Sequence, residues 1–133
     1  GIVTGVSISP VIPGLNDDQI PEILERAHQA GARRAFMVML RLPAEVRPVF
    51  LERLQEAVPL RAGKVISAIE QSRGGRLYDP RIGKRMRGQG PRWAAIEALF
   101  SGHRRRLGFC EDGEQLQHQP SSFRRPTAQQ ELF

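Results

Sequence analysis

Two short apolar runs, each closed by proline and each followed by a helix-like pattern, restrict the folds open to this chain more than any other feature. Residues 2–12 are rich in β-branched side chains and mix alternation (Val6, Ile8) with continuous apolar stretches. Residues 35–40 read Ala-Phe-Met-Val-Met-Leu. Runs of this length and composition are expected of strands buried on both faces. Pro10 and Pro13 end the first, and Arg41-Leu42-Pro43 ends the second. Pro13-Gly14-Leu15-Asn16-Asp17-Asp18 joins turn residues to a helix N-cap. Ile20, Ile23, Leu24, Ala27 and Ala30 then recur at helical spacing until Gly31 supplies a stop. Residues 45–58 repeat the pattern with Val46, Val49, Phe50, Leu54 and Ala57. Pro21 and Pro48 fall in first turns, where a missing N–H is harmless. The order strand, helix, strand, helix predicts parallel pairing through a right-handed crossover.

Residues 61–71 predict a third helix through Ala62, Val65, Ile66 and Ile69. Gly74, Gly75, Pro80, Gly83, Gly88 and Gly90 then interrupt regular structure, and a fourth helix starts at Pro91 with Trp93, Ile96, Leu99 and Phe100 on one side. Arg104, Arg105 and Arg106 near its end complement the helix dipole. From Glu111 the sequence is polar and is expected to be disordered. Two parallel strands alone leave edges and faces uncovered, and a complete (β/α)8 barrel takes ~250 residues. The expected fold is therefore α/β: a C-terminal fragment of a partial (β/α) TIM-like barrel, with two βα units followed by extra helices and a disordered tail. Residues 1–60 would hold the last βα units, 61–110 a helical extension with an Arg/Gly-rich loop, and 111–133 the tail. The opening Gly1-Ile2-Val3-Thr4, with no initiator Met and an apolar segment underway at once, fits the end of a longer protein. The missing N-terminal part would then be the first partner. Open sheet edges predict marginal stability or self-association.

Composition narrows the function. At 133 residues the chain suits one domain, and its single cysteine, Cys110, excludes an internal disulfide and any site needing several thiolates from this chain. No apolar run approaches the ~18 residues of a membrane span, and no secretory start precedes the first strand, so a soluble, cytoplasmic protein without a membrane partner is expected. His28, His103 and His118 lack ligand spacing. The net charge of +6 is concentrated: residues 73–106 hold ten Lys+Arg and two Asp+Glu, whereas the remainder is slightly acidic. Arg outnumbers Lys eighteen to two, and its planar fork suits phosphate and carboxylate. Arg73, Arg76, Arg81, Lys84, Arg85 and Arg87 are thus candidates for following a nucleic-acid backbone, with Tyr78 as a stacking ring. The alternative is a set of arginines paired with carboxylates, or a solvated face.

In parallel α/β folds ligands bind beyond the carboxyl ends of the strands. Here those ends are residues 10–17 and 40–43. Gly14 would let backbone approach a ligand, Asn16 offers an amide for a ribose or base edge, and Asp17 is an acceptor or a cap. A plain turn with an N-cap explains the same residues.

Pro10-Val11-Ile12-Pro13-Gly14-Leu15-Asn16-Asp17 resembles the G-x-I-x-G-x-x-E motif on a late barrel strand of radical S-adenosylmethionine (SAM) enzymes, with Pro10 in place of the first Gly and Asp17 in place of Glu. More closely, Ala30-Gly31-Ala32, Leu40-Arg41-Leu42-Pro43, Arg73-Gly74-Gly75 and Arg85-Met86-Arg87-Gly88-Gln89-Gly90 together resemble the C-terminal part of DNA repair photolyase-like radical SAM proteins, relatives of spore photoproduct lyase. The resemblance spans about residues 2–109. It implies a 4Fe-4S cluster bound by C-x-x-x-C-x-x-C, reductive cleavage of SAM and hydrogen abstraction by the 5′-deoxyadenosyl radical. It also implies that Ile12 packs on the adenine of SAM while the backbone near Gly14 and Leu42 lines the cofactor pocket; Asn16 joins these as a candidate cofactor contact from the loop reading alone. The three cluster cysteines are absent from this sequence, and Cys110, after the last helix, does not match the position of that family's hydrogen-donating cysteine. The final Gln129-Gln130-Glu131-Leu132-Phe133 resembles the Q-L-[S/D]-L-F peptide by which bacterial DNA enzymes dock on the sliding clamp, so Gln129, Leu132 and Phe133 are candidate clamp contacts. The expected function is the C-terminal portion of a radical SAM iron-sulfur enzyme acting on nucleic acid in lesion repair or modification, inactive without its cluster-binding region. The alternative is a non-catalytic nucleic-acid-binding module.

Overall fold

A computed structural model of the protein describes residues 2–78 and 86–110. The elements are β1 (Gly5–Val11), α1 (Ile20–Gln29, entered through a 3-10 turn at Asp17–Gln19), β2 (Arg34–Met39), α2 (Arg47–Ala57), α3 (Pro59–Gln71) and α4 (Gly90–Leu107). The strand-helix-strand-helix order holds, and β1 pairs with β2 in parallel. The register runs from Gly5 opposite Arg34 to Ile8 opposite Met37, then shifts so that Val11 faces Met39. The shift falls where Pro10, which has no N–H to give a ladder, interrupts β1; bulges are one of the few places a strand accepts proline. Beyond it, the Leu40 N–H donates to the Val11 carbonyl at 2.9 Å and keeps the two strand ends together.

The expectation of strands buried on both faces is corrected. One face, carrying Val6, Ile8, Ala35, Met37 and Met39, is buried or half-buried; on the other, Ser7 and Ser9 are exposed and Phe36 keeps 53% of its surface. Side chains alternate across a strand, so the serines interleaved with Val6 and Ile8 mark the open face. Residues 2–4 lie outside the strand and are exposed.

The stop of α1 follows the residue read from sequence. Gly31, at φ +94°, closes α1: its N–H donates to the His28 carbonyl, and the next N–H, of Ala32, reaches back to the Ala27 carbonyl. This double return satisfies carbonyls that a helix end leaves open and needs a left-handed residue that glycine supplies without strain. Gly108 ends α4 in the same way, through Gly108 to Arg105 and Phe109 to Arg104. Pro21, Pro48, Pro59 and Pro91 all stand in first turns.

The core is continuous across the helices. Ile20 and Leu24 of α1, Leu54 of α2, Val65 and Ile69 of α3, and Trp93, Ile96 and Phe100 of α4 cluster with Ile8, Val11 and Met39 of the sheet. Residues on either side of position 60 therefore share one core. α1 packs against β1 and α4, α2 against α3, and α3 against α4. The helical pattern read for residues 45–58 overstates burial, because Val46 and Val49 are exposed and only Leu54 of that set is fully enclosed. α2 packs on α3, and the remaining apolar positions of this set are half-buried or exposed. The third helix begins at Pro59, ahead of the expected Arg61, and leaves Leu60 almost wholly exposed.

Leu24 has no exposed surface and lies between the sheet and α4 in this core. Truncating it to Ala should cost about 2–5 kcal/mol, the usual loss for a buried leucine that leaves a cavity. Urea denaturation of Leu24→Ala against Val49→Ala, which should shift stability by about 0.5 kcal/mol or less as an exposed change, checks this assignment of the core.

Candidate functional site

The loop that leaves β1 is built almost entirely from its own hydrogen bonds. The Asn16 side chain bridges it: Oδ1 accepts from the Ile12 N–H at 2.7 Å and Nδ2 donates to the Pro10 carbonyl at 3.0 Å. Asp17 Oδ1 accepts from the Gly14 N–H at 2.8 Å. The N–H groups of Leu15 and Asn16 both turn back to the Ile12 carbonyl. Asp17 thus does not cap α1, which has no side-chain cap; its carboxylate faces backward into the turn. Gly14 sits at φ +79°, and a Cβ there would stand 3.3 Å from the Ala68 Cβ on α3. Both the left-handed backbone and the close approach to α3 favour glycine. From α3, Arg61 donates to the Gly14 carbonyl at 3.0 Å, which holds the loop against that helix.

Of the four residues expected at a cofactor, Ile12, Gly14 and Asn16 are therefore brought together in one half-buried turn. The N–H donors of Ile12 and Gly14 and the whole Asn16 amide are already engaged inside it, so what the turn offers outward is shape and the half-buried Ile12 side chain. Leu42, beyond β2, has no exposed surface. Its side chain belongs to the core, which leaves only its backbone to face a ligand.

The end of β2 is held from a distance. Arg73, expected on a nucleic-acid-binding surface, is 3% exposed, and its guanidinium donates to the Leu40 carbonyl at 2.6 Å. In this position it ties the residues after α3 to the end of β2. The chain also returns here after residue 85, where the Met39 N–H donates to the Met86 carbonyl and the Gln89 N–H to the Ser72 carbonyl. Arg76 and Arg87 are exposed. Arg81, Lys84 and Arg85 lie outside the described residues, as do Gln129, Leu132 and Phe133.

Two further cations at this end, Arg41 and Arg47, are half-buried, each with a buried Nε that has no hydrogen-bond partner. Sequence reading noted Arg41 only as part of a loop and passed over Arg47, since partial burial of an arginine leaves no mark in local spacing. Arg61 was missed for a similar reason: its partner, Gly14, lies far away in the chain.

Among the described residues no group of three His, Cys, Asp or Glu side chains could hold a metal ion. Cys110 is half-buried beyond α4; its N–H donates to the Arg33 carbonyl, and its own carbonyl accepts from Arg104 at 3.0 Å. His103 Nδ1 lies 3.0 Å from the Leu99 carbonyl one turn back, and the His28 ring meets Phe109 edge-on with centroids 5.5 Å apart. Both histidines have structural contacts. No described helix is long and apolar enough to cross a membrane. Comparison of the chain with known protein families, with curated proteins and with solved structures finds no match.

The contrast between Arg73 and Arg76 is measurable. Arg73→Ala removes a buried, charge-assisted hydrogen bond and should destabilise the protein by roughly 2–4 kcal/mol. Arg76→Ala, at the surface, should change stability by about 0.5 kcal/mol or less. Thermal melts of the two variants read the difference. Asn16→Ala, which opens the turn at both of its bridges, should cost about 1–2 kcal/mol, whereas Asn16→Asp keeps the acceptor and sets a carboxylate against the Pro10 carbonyl.

Proposed function

We propose that this chain is part of a radical SAM enzyme acting on nucleic acid, within a partial (β/α) barrel, and that it supplies loops at the cofactor edge while the cluster is held elsewhere. The observation that carries the reading is the adjacency of the two motif segments. Parallel pairing of β1 with β2, closed by the Leu40 to Val11 hydrogen bond, sets the 10–17 turn beside residues 40–43 at the same end of the sheet. That is the end where parallel α/β folds place their ligands.

The fit of each implied group differs. A 4Fe-4S cluster held by three thiolates does not fit this chain, which has one cysteine, placed beyond α4. The thiolates in this reading come from a segment carrying C-x-x-x-C-x-x-C. SAM fits in a narrower sense: the half-buried Ile12 offers an apolar surface for a purine face, Gly14 lets the turn pack closely on α3, and Asn16 and Asp17 fix the turn from within. When bound, the cofactor supplies the adenosyl group on which the chemistry depends. The contribution of the chain is binding and shape.

The reading is tested on the complete gene product, reconstituted anaerobically with iron and sulfide. It predicts 5′-deoxyadenosine formation from SAM that drops at least about ten-fold in Ile12→Asp, since a charge at the purine contact lacks a partner. A gene product with no three-cysteine motif, or with the motif and no SAM cleavage, would sink it. The second reading, a non-catalytic nucleic-acid-binding module, is favoured only by the exposure of Arg76 and Arg87 and predicts salt-dependent DNA affinity with no effect of Ile12.

A further inference from the structure

We infer that a shallow basic cleft between α3 and the start of α4 is a phosphate-binding site, one that adjoins the turn after β1, where a Cβ added at Gly14 would stand 3.7 Å from an Arg92 guanidinium nitrogen. Gly63, Lys64, Ser67 and Gln71, exposed on α3, line one side with the buried Ala68 between them, and Arg92 from the first turn of α4 completes the lining. The cleft encloses about 340 Å³, enough for a phosphate with part of the group attached to it. Its floor is made of small residues: at Gly63 even an added Cβ would meet nothing within 4 Å. Its walls are two cations and two neutral hydrogen-bonding groups.

Among the described residues the charge in the cleft is uncompensated. No described carboxylate lines it, and neither Lys64 nor Arg92 makes an ion pair or hydrogen bond with a described residue, whereas Arg26, Arg53 and Arg106 each pair with a glutamate elsewhere on the surface. The first turn of α4 adds no acidic residue and no side-chain cap at its amino end, so the local field stays positive up to the helix terminus. Arg61, one turn before Lys64 on the same helix, is engaged with the Gly14 carbonyl and fixes the wall of the cleft against the loop from β1. Two cations with a hydroxyl and an amide in the same lining offer more donors than one carboxylate would use, and suit the several oxygens of a phosphate.

None of these residues belongs to the Arg/Gly-rich segment, so the site can be tested apart from it. The shared ligand chemistry is a phosphate anion, whose source is either the backbone of a nucleic acid or a small free phosphate. The protein is titrated with a labelled 12-nucleotide single strand over a series of salt concentrations, and separately with inorganic phosphate monitored by amide chemical shifts. For a nucleic-acid source, the double variant Lys64→Gln, Arg92→Gln should weaken the oligonucleotide on the order of ten-fold and flatten the slope of log K against log salt by about 1.4, at roughly 0.7 per phosphate contact. For a small-phosphate source, the wild-type oligonucleotide affinity is unchanged in the variant, but phosphate still shifts the amides of residues 63–71 and ceases to do so in the variant.

A second variant separates binding from folding. Gly63→Leu replaces a mid-helix glycine at a point where nothing is in the way, so it should raise the melting temperature through helix propensity while its side chain intrudes on the cleft and weakens the ligand several-fold. Equal binding by all three proteins in both titrations overturns the inference, whatever becomes of SAM cleavage. Loss of SAM cleavage with these binding changes intact would instead leave the cleft assigned and remove only the enzyme reading.

Discussion

The parallel pairing of β1 with β2 is the interaction on which the rest of the structure depends. Parallel strands cannot be joined by a tight turn, so the chain must leave the sheet, cross it through α1 and return. That crossover brings Ile20 and Leu24 over Val6, Ile8, Ala35 and Met39, and it leaves the serine-bearing face without a cover. The shift at Pro10 then brings both carboxyl ends together. Each loop of interest begins there, and the positions of Arg61, Arg73 and Met86 are set by hydrogen bonds they make to those ends.

The described basic residues include three physical classes that composition cannot separate. Arg73 is buried and bonds a backbone carbonyl. Arg26, Arg53 and Arg106 pair with glutamates in solvent, where such pairs add ~1 kcal/mol or less. Lys64 and Arg92 are exposed and line one cleft in which no described carboxylate takes part. An excess of positive charge counted along 73–106 mixes these classes, since it includes Arg73 and omits Lys64.

What was legible in the sequence was local. Gly31 stops α1 because a left-handed glycine closes a helix wherever it stands, and the first-turn prolines mark starts for an equally local reason. The apolar spacing of Leu24, Val65 and Phe100 identified core positions because burial on a helix repeats at the helix period. The candidate site was half legible: Gly14 and Asn16 do shape one turn, but whether an amide faces a ligand or its own backbone depends on where Ile12 and Pro10 lie after folding. Arg73 could not be assigned by spacing at all, since its acceptor, Leu40, is distant in sequence and adjacent only once α3 has packed. The open face of the sheet was present as Ser7 and Ser9, although the β-branched richness of the run around them argued for burial.

The hydrogen bond from Cys110 to Arg33 links the residue after α4 to the loop that follows α1. Phe109 is buried beside it and meets His28 of α1. The first crossover unit therefore has its hydrophobic side completed by some of the last described residues. During synthesis, β1, α1 and β2 emerge long before α4, and their shared apolar surface stays wet until residue 110 has left the ribosome. For this chain the rate at which the polypeptide is made, as well as its sequence, bears on how long that surface is open to a chaperone or to another nascent chain.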